Sequence, residues 1–195
     1  MIALLASCHT KSKQASTAGQ QATQEIVDTA VAIRNLETSF FHHPSVNTGL
    51  DLANLYAATK DGRTIALCDS LLAKDASKGL TDAIFIKGVY YFNIDDSAHA
   101  MQQFEECIRH DWKYTEAYIE KGILFYNRKN YTAALKTFEL ATKVSNTYPD
   151  AYYWLARSYE AMGNKEQALD NYYRALALDK NFTEAEEGIK RLSLH

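Results

Sequence analysis

Ala83, Ala117, Ala151 and Ala185 stand 34 residues apart, and five further columns keep the same step over three copies. These are Gly88, Gly122 and Ala156; Tyr91, Phe125 and Tyr159; Ala100, Ala134 and Ala168; Phe104, Phe138 and Tyr172; and Cys107, Ala141 and Ala175. Six columns in register do not arise by chance, so the chain is an array of one repeated unit. Such a unit cannot cover its own apolar face, and each copy needs a neighbour.

The order of small and large residues predicts how each unit packs. Two helices approach closely only where one offers a small side chain, which places Gly122 and Ala134 at a helix crossing. Phe125 and Phe138 fill the space beside it, and full burial of such a ring stabilises by about 1.5–3 kcal/mol. Lys129-Asn130 and Gly163-Asn164 read as the turns between paired helices. Thr81, Thr115 and Thr183 stand at expected N-caps, and Thr183 with Glu186 has the spacing of a capping box.

The N-terminal part reads differently. Residues 9–22, HTKSKQASTAGQQA, carry no large apolar side chain and cannot offset the entropy of ordering, so they are expected to form a flexible tether. A helix is predicted over 23–44, with Ile26, Val27, Ala30, Ile33, Leu36 and Phe40 on one face and Pro44 as its stop.

Several functions are disfavoured by composition. The 2 prolines among 195 residues suit helices joined by short turns, and a net charge of -3 argues against nucleic acid. No apolar run approaches the roughly 18 residues that read as a membrane span. Cys68 and Cys107 fall on apolar helix faces and are expected as inert buried thiols. No CxxC or zinc-ligand spacing occurs. His42-His43 is the one histidine cluster, and it reads as a surface pair at a helix C-terminus. No GxSxG, HExxH, P-loop or GxGxxG is present, so neither a catalytic nor a cofactor site is expected.

The stretch YPDAYYWLARSYEAMGNKEQALDNYYRALALDKNF resembles a tetratricopeptide repeat almost column for column, departing at Lys180 and Ala156. Copies at 81–114 and 115–148 resemble it nearly as well, although Lys87 and Lys121 stand where leucine is commoner. Residues 45–80 look like a degenerate further copy at the start of the array. After the copy at 149–182, residues 183–195 read as a capping helix, whose Glu184, Glu187, Lys190 and Arg191 make a polar outer face. The resemblance implies an all-α, right-handed solenoid of antiparallel helix pairs. It also implies that the first helices line a groove for a protein or peptide partner. By resemblance the groove residues are Phe85, Val89, Ile119, Glu120, Ile123, Tyr153, Trp154 and Arg157, with Asp82, Glu116 and Asp150 at an acidic edge. The family's carboxylate clamp needs lysine and asparagine where this chain has Asp82, Phe85, Val89 and Glu120, so a chaperone-tail receptor is not expected.

Leu5-Ala6-Ser7-Cys8 resembles the lipobox of bacterial lipoproteins, and residues 1–8 then read as the remnant of a signal peptide. The resemblance implies a lipidated Cys8 and anchoring on the periplasmic side of a bacterial envelope membrane, as in envelope lipoproteins that carry such repeats. The alternatives are a cytosolic adaptor with the same groove and no lipid and, more remotely, an enzyme of unrecognised type.

Overall fold

The computed structural model describes residues 17–74 and 80–194. The motif around Cys8 and the first part of the expected tether lie outside them. Among the described residues there are ten helices and no strand: α1 (Thr17–His42), α2 (Val46–Ala58), α3 (Arg63–Lys74), α4 (Leu80–Asn93), α5 (Ser97–His110), α6 (Thr115–Asn127), α7 (Tyr131–Val144), α8 (Pro149–Ala161), α9 (Lys165–Leu178) and α10 (Thr183–Ser193). They form two compact units divided between Asp95 and Asp96. In the first, α2 packs on α1, α3 and α4. In the second, α6 pairs with α7 and α8 with α9, while α7 meets α8 and α9 meets α10.

One difference from the sequence reading is at α1, which starts at Thr17, inside the segment expected as tether. Its apolar stripe begins later, but adding a residue to an existing helix fixes only one residue for one hydrogen bond. The alanines and glutamines of this stretch are good helix formers.

The turns carry the repeat in their backbone. Lys60, Asp95, Lys129 and Gly163 all have positive φ, at 60°, 64°, 59° and 78°, and each follows the first helix of a pair. The last three keep the 34-residue step, while Lys60 precedes Asp95 by 35, so the degenerate copy is one residue out of step. After α6 the Lys129 amide donates to the Tyr126 carbonyl at 2.8 Å and the Asn130 amide to that of Phe125 at 2.9 Å; Gly163 and Asn164 do the same toward Glu160 and Tyr159. This is the Schellman arrangement, which satisfies the last carbonyls of a helix with a left-handed residue. After Asp95 and Lys129 the next residue caps the second helix by its side chain: Asp96 accepts from the His99 amide and Asn130 from the Ala133 amide, both at 3.2 Å, whereas Asn164 makes no such bond.

The expected threonine caps are not formed at α6 and α10. Thr81, Thr115 and Thr183 lie one position inside their helices or at the first helical residue. Tyr114 and Phe182 stand at the N-caps of α6 and α10 without a side-chain cap bond. Thr183 is the first residue of α10 and donates its hydroxyl to Glu184, while the Glu186 amide donates to the Phe182 carbonyl, so the capping box is absent. The reason is packing. An aromatic residue holds this corner in successive repeats, and Tyr148 before α8 and Phe182 before α10 turn their rings onto the cores around Ile119 and Tyr172. The threonine is thereby displaced from the cap position.

The small-residue columns are the core. Ala83, Ala117, Ala151, Ala185, Ala100, Ala134 and Ala168 are fully buried, as are Phe104, Phe138, Tyr172, Cys107, Ala141 and Ala175. Phe125 is only partly buried beside them. The crossing of α6 and α7 differs in detail from the expected Gly122–Ala134 pairing, because the Phe138 ring lies directly on Gly122 and occupies the space of a Cβ there. Tyr172 of α9 lies on Gly188 of α10 in the same manner. Lys87 and Lys121 replace the usual leucine because each reaches an acid on the preceding helix pair, Asp69 and Glu105, at 2.8 Å. Cys68 and Cys107 are buried free thiols, and burial pushes Cys68 up to about 12.

Two substitutions test this packing by thermal or urea unfolding. Gly122→Ala forces a methyl into the Phe138 ring and should destabilise by about 1–3 kcal/mol. Gly163→Ala meets nothing within 4 Å, so its expected loss of about 1–2 kcal/mol is purely conformational.

Candidate partner-binding face

In the second unit the first helices of the pairs, α6 and α8, lie side by side. Their residues at the 34-residue step, continued into α10, give the candidate face three bands. Glu116, Asp150 and Glu184 occupy the first helical turns. Glu120, Trp154 and Gly188 form a middle column, and Ile123, Arg157 and Arg191 a third.

The structure brings Tyr153, Trp154 and Arg157 together. Trp154 stacks on Phe138, with ring centroids 5.9 Å apart and planes at 16°, and meets Tyr126 and Tyr153 edge-on. The Arg157 guanidinium lies 5.6 to 5.9 Å from the ring centroids of Tyr126, Tyr153 and Trp154. It donates to the Tyr153 hydroxyl at 2.9 Å and the Tyr126 hydroxyl at 3.3 Å. A cation held over aromatic faces and half removed from water is stabilised without a carboxylate. The same link recurs one repeat later, where Arg191 forks onto Glu160 at 2.6 and 2.8 Å. Tyr172, whose ring is fully buried, donates its hydroxyl to the same Glu160 at 2.5 Å. Burial alone pushes the Glu160 carboxyl up, but the Arg191 and Tyr172 bonds outweigh it and hold it below the ordinary carboxylate value. A shallow cleft of ≈ 220 Å³ opens between these groups, lined by Tyr126, Arg157, Glu160, Ala161 and Arg191.

Not every expected groove residue is presented. Ile119 is 6% exposed and belongs to the core with Phe138, Ala151 and Leu155. Tyr153 turns partly inward toward Tyr172 and Phe182. Both side chains pack toward the next repeat, Ile119 wholly and Tyr153 in part. Phe85 and Val89 belong to the first unit, where Val89 packs on the Ala53, Cys68 and Ile86 cluster. Arg191 is exposed on α10, as expected of the outer face, and also reaches Glu160. Tyr126 and Glu160 were missed by sequence reasoning. Their signal was present in the spacing, because Tyr126–Arg157 and Glu160–Arg191 are both 31 residues apart.

Glu120 is the electrostatic anomaly. The residue is partly buried on α6. Burial first, and then the neighbouring Asp150 charge, push it up to about 7. Asp150 is itself raised by burial and by the charges of Glu184, Asp179 and Glu116.

With this geometry in hand, comparisons with known proteins point one way. Residues 149–182 match the tetratricopeptide repeat profile and residues 122–163 a TPR repeat profile. No curated protein sequence matches. Among solved structures, TTC0263, a thermophilic TPR protein of Thermus thermophilus, superposes with a TM-score of 0.72 at 14% identity, covering 89% of this chain and 95% of that one. YrrB, a TPR protein with an unusual peptide-binding site, gives 0.58 at 16% identity over 87% and 88%. The first TPR of Spaghetti (RPAP3), bound to an HSP90 peptide, gives 0.56 at 22% identity over 62% and 94%. The described residues thus form an all-helical fold of tetratricopeptide-type helix pairs.

The raised Glu120 value has a stability consequence. Between the ordinary 4.5 and about 7 the folded protein holds a proton at Glu120 that the unfolded chain has released, so the stabilising contribution is complete below 4.5 and lost as pH rises through 7. Glu120→Gln should therefore raise the melting temperature above pH 7 and leave it nearly unchanged at pH 4.5. An equal effect at both pH values in thermal melts would contradict the assignment.

Proposed function

We propose that this protein is a non-enzymatic scaffold that holds an extended segment of a partner protein on the face formed by α6, α8 and α10. The observation that carries this reading is the half-buried Tyr126, Trp154 and Arg157 cluster beside an open cleft. Aromatic and arginine side chains on a rigid element are the groups that dominate protein interfaces. The solved relatives with peptide ligands or peptide sites support the same reading.

We propose further that the scaffold is tethered to a membrane through a lipidated Cys8, on the periplasmic side of a bacterial envelope. Support comes from the Leu5-Ala6-Ser7-Cys8 motif. No described helix is long and apolar enough to cross a membrane. Stable anchoring by acyl chains takes more than one, as a diacylated cysteine would supply.

Selection of a random displayed peptide library on the purified protein tests the scaffold. Enriched peptides should lose binding about tenfold or more to Ile123→Glu, and keep it with Leu140→Glu on α7, where Leu140 is 49% exposed. Absence of enrichment, or equal loss in both variants, would contradict it. The anchor has its own readout. Expression with the full upstream gene in a Gram-negative host should give an N-terminal peptide whose mass includes acyl chains on Cys8, abolished by Cys8→Ser.

A further inference from the structure

The cleft lined by α6, α8 and α10 holds more positive charge than negative. Of its lining residues, Arg157 and Arg191 are cations and Glu160 is the one acid. Arg191 occupies both oxygens of that acid, at 2.6 and 2.8 Å, and Tyr172 donates to it as well. Glu160 feels the Arg157 charge only after that of Arg191. Arg157 has no acid of its own, since among the described residues none of the ion pairs involves it. The register shows why. Tyr126 and Glu160 stand 34 residues apart in one column, as do Arg157 and Arg191 in another. At two equivalent links the chain gives one arginine a carboxylate and the other a phenol.

Arg157 keeps its charge all the same. Burial disfavours the charged form, but the Tyr153 and Tyr126 contacts outweigh it and hold the group above the ordinary arginine value. Its terminal nitrogens donate to these two hydroxyls, and each carries a second N–H. The same column holds Val89 and Ile123 in the preceding repeats, so a cation stands where the array otherwise places an apolar side chain. A guanidinium fixed in this way binds a carboxylate through short, charge-assisted hydrogen bonds. The cleft limits what can carry that carboxylate. Its ≈ 220 Å³ falls below the roughly 300 Å³ at which pockets for whole small molecules begin, and suits a single side chain. One surplus positive charge matches a carboxylate. A phosphoryl group, at about −1.5 to −2, would be left partly uncompensated beside Glu160.

We infer that the cleft between Arg157 and Arg191 receives an aspartate or glutamate side chain from within the bound segment, held by the Arg157 guanidinium. The inference rests on the proposed binding face and adds the chemistry of one position in its occupant. Ile123 lies one repeat before Arg157 in the same column, so the segment pairs that acid with an apolar neighbour. An internal side chain needs no free chain end, which separates this ligand from a terminal carboxylate.

The test uses the full chain and two displayed peptide libraries whose central residue is glutamate in one and glutamine in the other. All other positions are random over uncharged residues, and fusion through the peptide C-terminus leaves no free terminal carboxylate. The libraries are mixed in equal numbers and selected on the immobilised protein. Glutamate-centred peptides should be recovered about tenfold or more over glutamine-centred ones. On Arg157→Gln the ratio should fall toward one. On Arg174→Gln, which removes the same charge from an exposed part of α9, it should persist. Glu160→Gln should raise the ratio, an effect that loss of folding cannot mimic. A ratio that survives Arg157→Gln, falls equally in Arg174→Gln or fails to rise in Glu160→Gln overturns the inference. Equal recovery of both libraries on the native protein, with binding lost in Ile123→Glu, leaves the face standing and refutes the acid-binding cleft. Recovery of neither also refutes the inference, and the face falls with it only if the fully random library fails to enrich.

Discussion

A buried ring laid on a small residue is the contact on which the rest of the second unit depends. Phe138 rests on Gly122 and Tyr172 on Gly188, and in each case the space of a side chain is filled by the ring. That contact fixes how near the helices approach, because a close-packed interior tolerates neither a gap nor an added methyl. Everything on the exposed side follows from it. Trp154 can stack on Phe138 only because the ring is held in place from beneath. Arg157 can lie over Tyr126 and Trp154 only because α6 and α8 are held side by side.

The polar links between first helices build on the same register. Arg157 to Tyr126 and Arg191 to Glu160 repeat at one step, and both keep an arginine beside the cleft instead of free in solvent. These groups are pre-organised, so a partner meeting them would not have to order two long side chains. On the other edge of the face Glu116 and Glu184 accept hydrogen bonds from Tyr148 and Thr183 instead of pairing with a cation. The face is therefore polarised, with fixed arginines at one margin, aromatic rings in the middle and the acids Glu116, Asp150 and Glu184 at the other.

Much of this was legible in the sequence. The alanine and aromatic columns identified the core residues because burial repeats where the helix crossing repeats. The turns were readable at Lys129-Asn130 and Gly163-Asn164 for the same reason. What misled was local chemistry. Thr115 and Thr183 have the composition of caps, yet the aromatic residue before the helix holds that corner, as the packing of Tyr148 and Phe182 shows. Ile119 and Tyr153 neighbour Glu120 and Trp154 on their helices, and one residue of rotation separates the Ile119 packing position from the partly exposed Glu120. The alanine- and glutamine-rich start of α1 carried no apolar pattern to announce a helix.

The chain's 2 tryptophans offer the most direct test of the binding face. Trp154 lies within it, while Trp112 is 62% exposed in the turn before α6. In a proton–nitrogen correlation spectrum of the labelled protein the two indole signals can be assigned with Trp112→Phe. Titration with a library-selected peptide should shift the Trp154 indole saturably and leave Trp112 in place. Movement of Trp112 alone, or of neither indole while the peptide binds, would contradict the account and place the partner elsewhere on the chain.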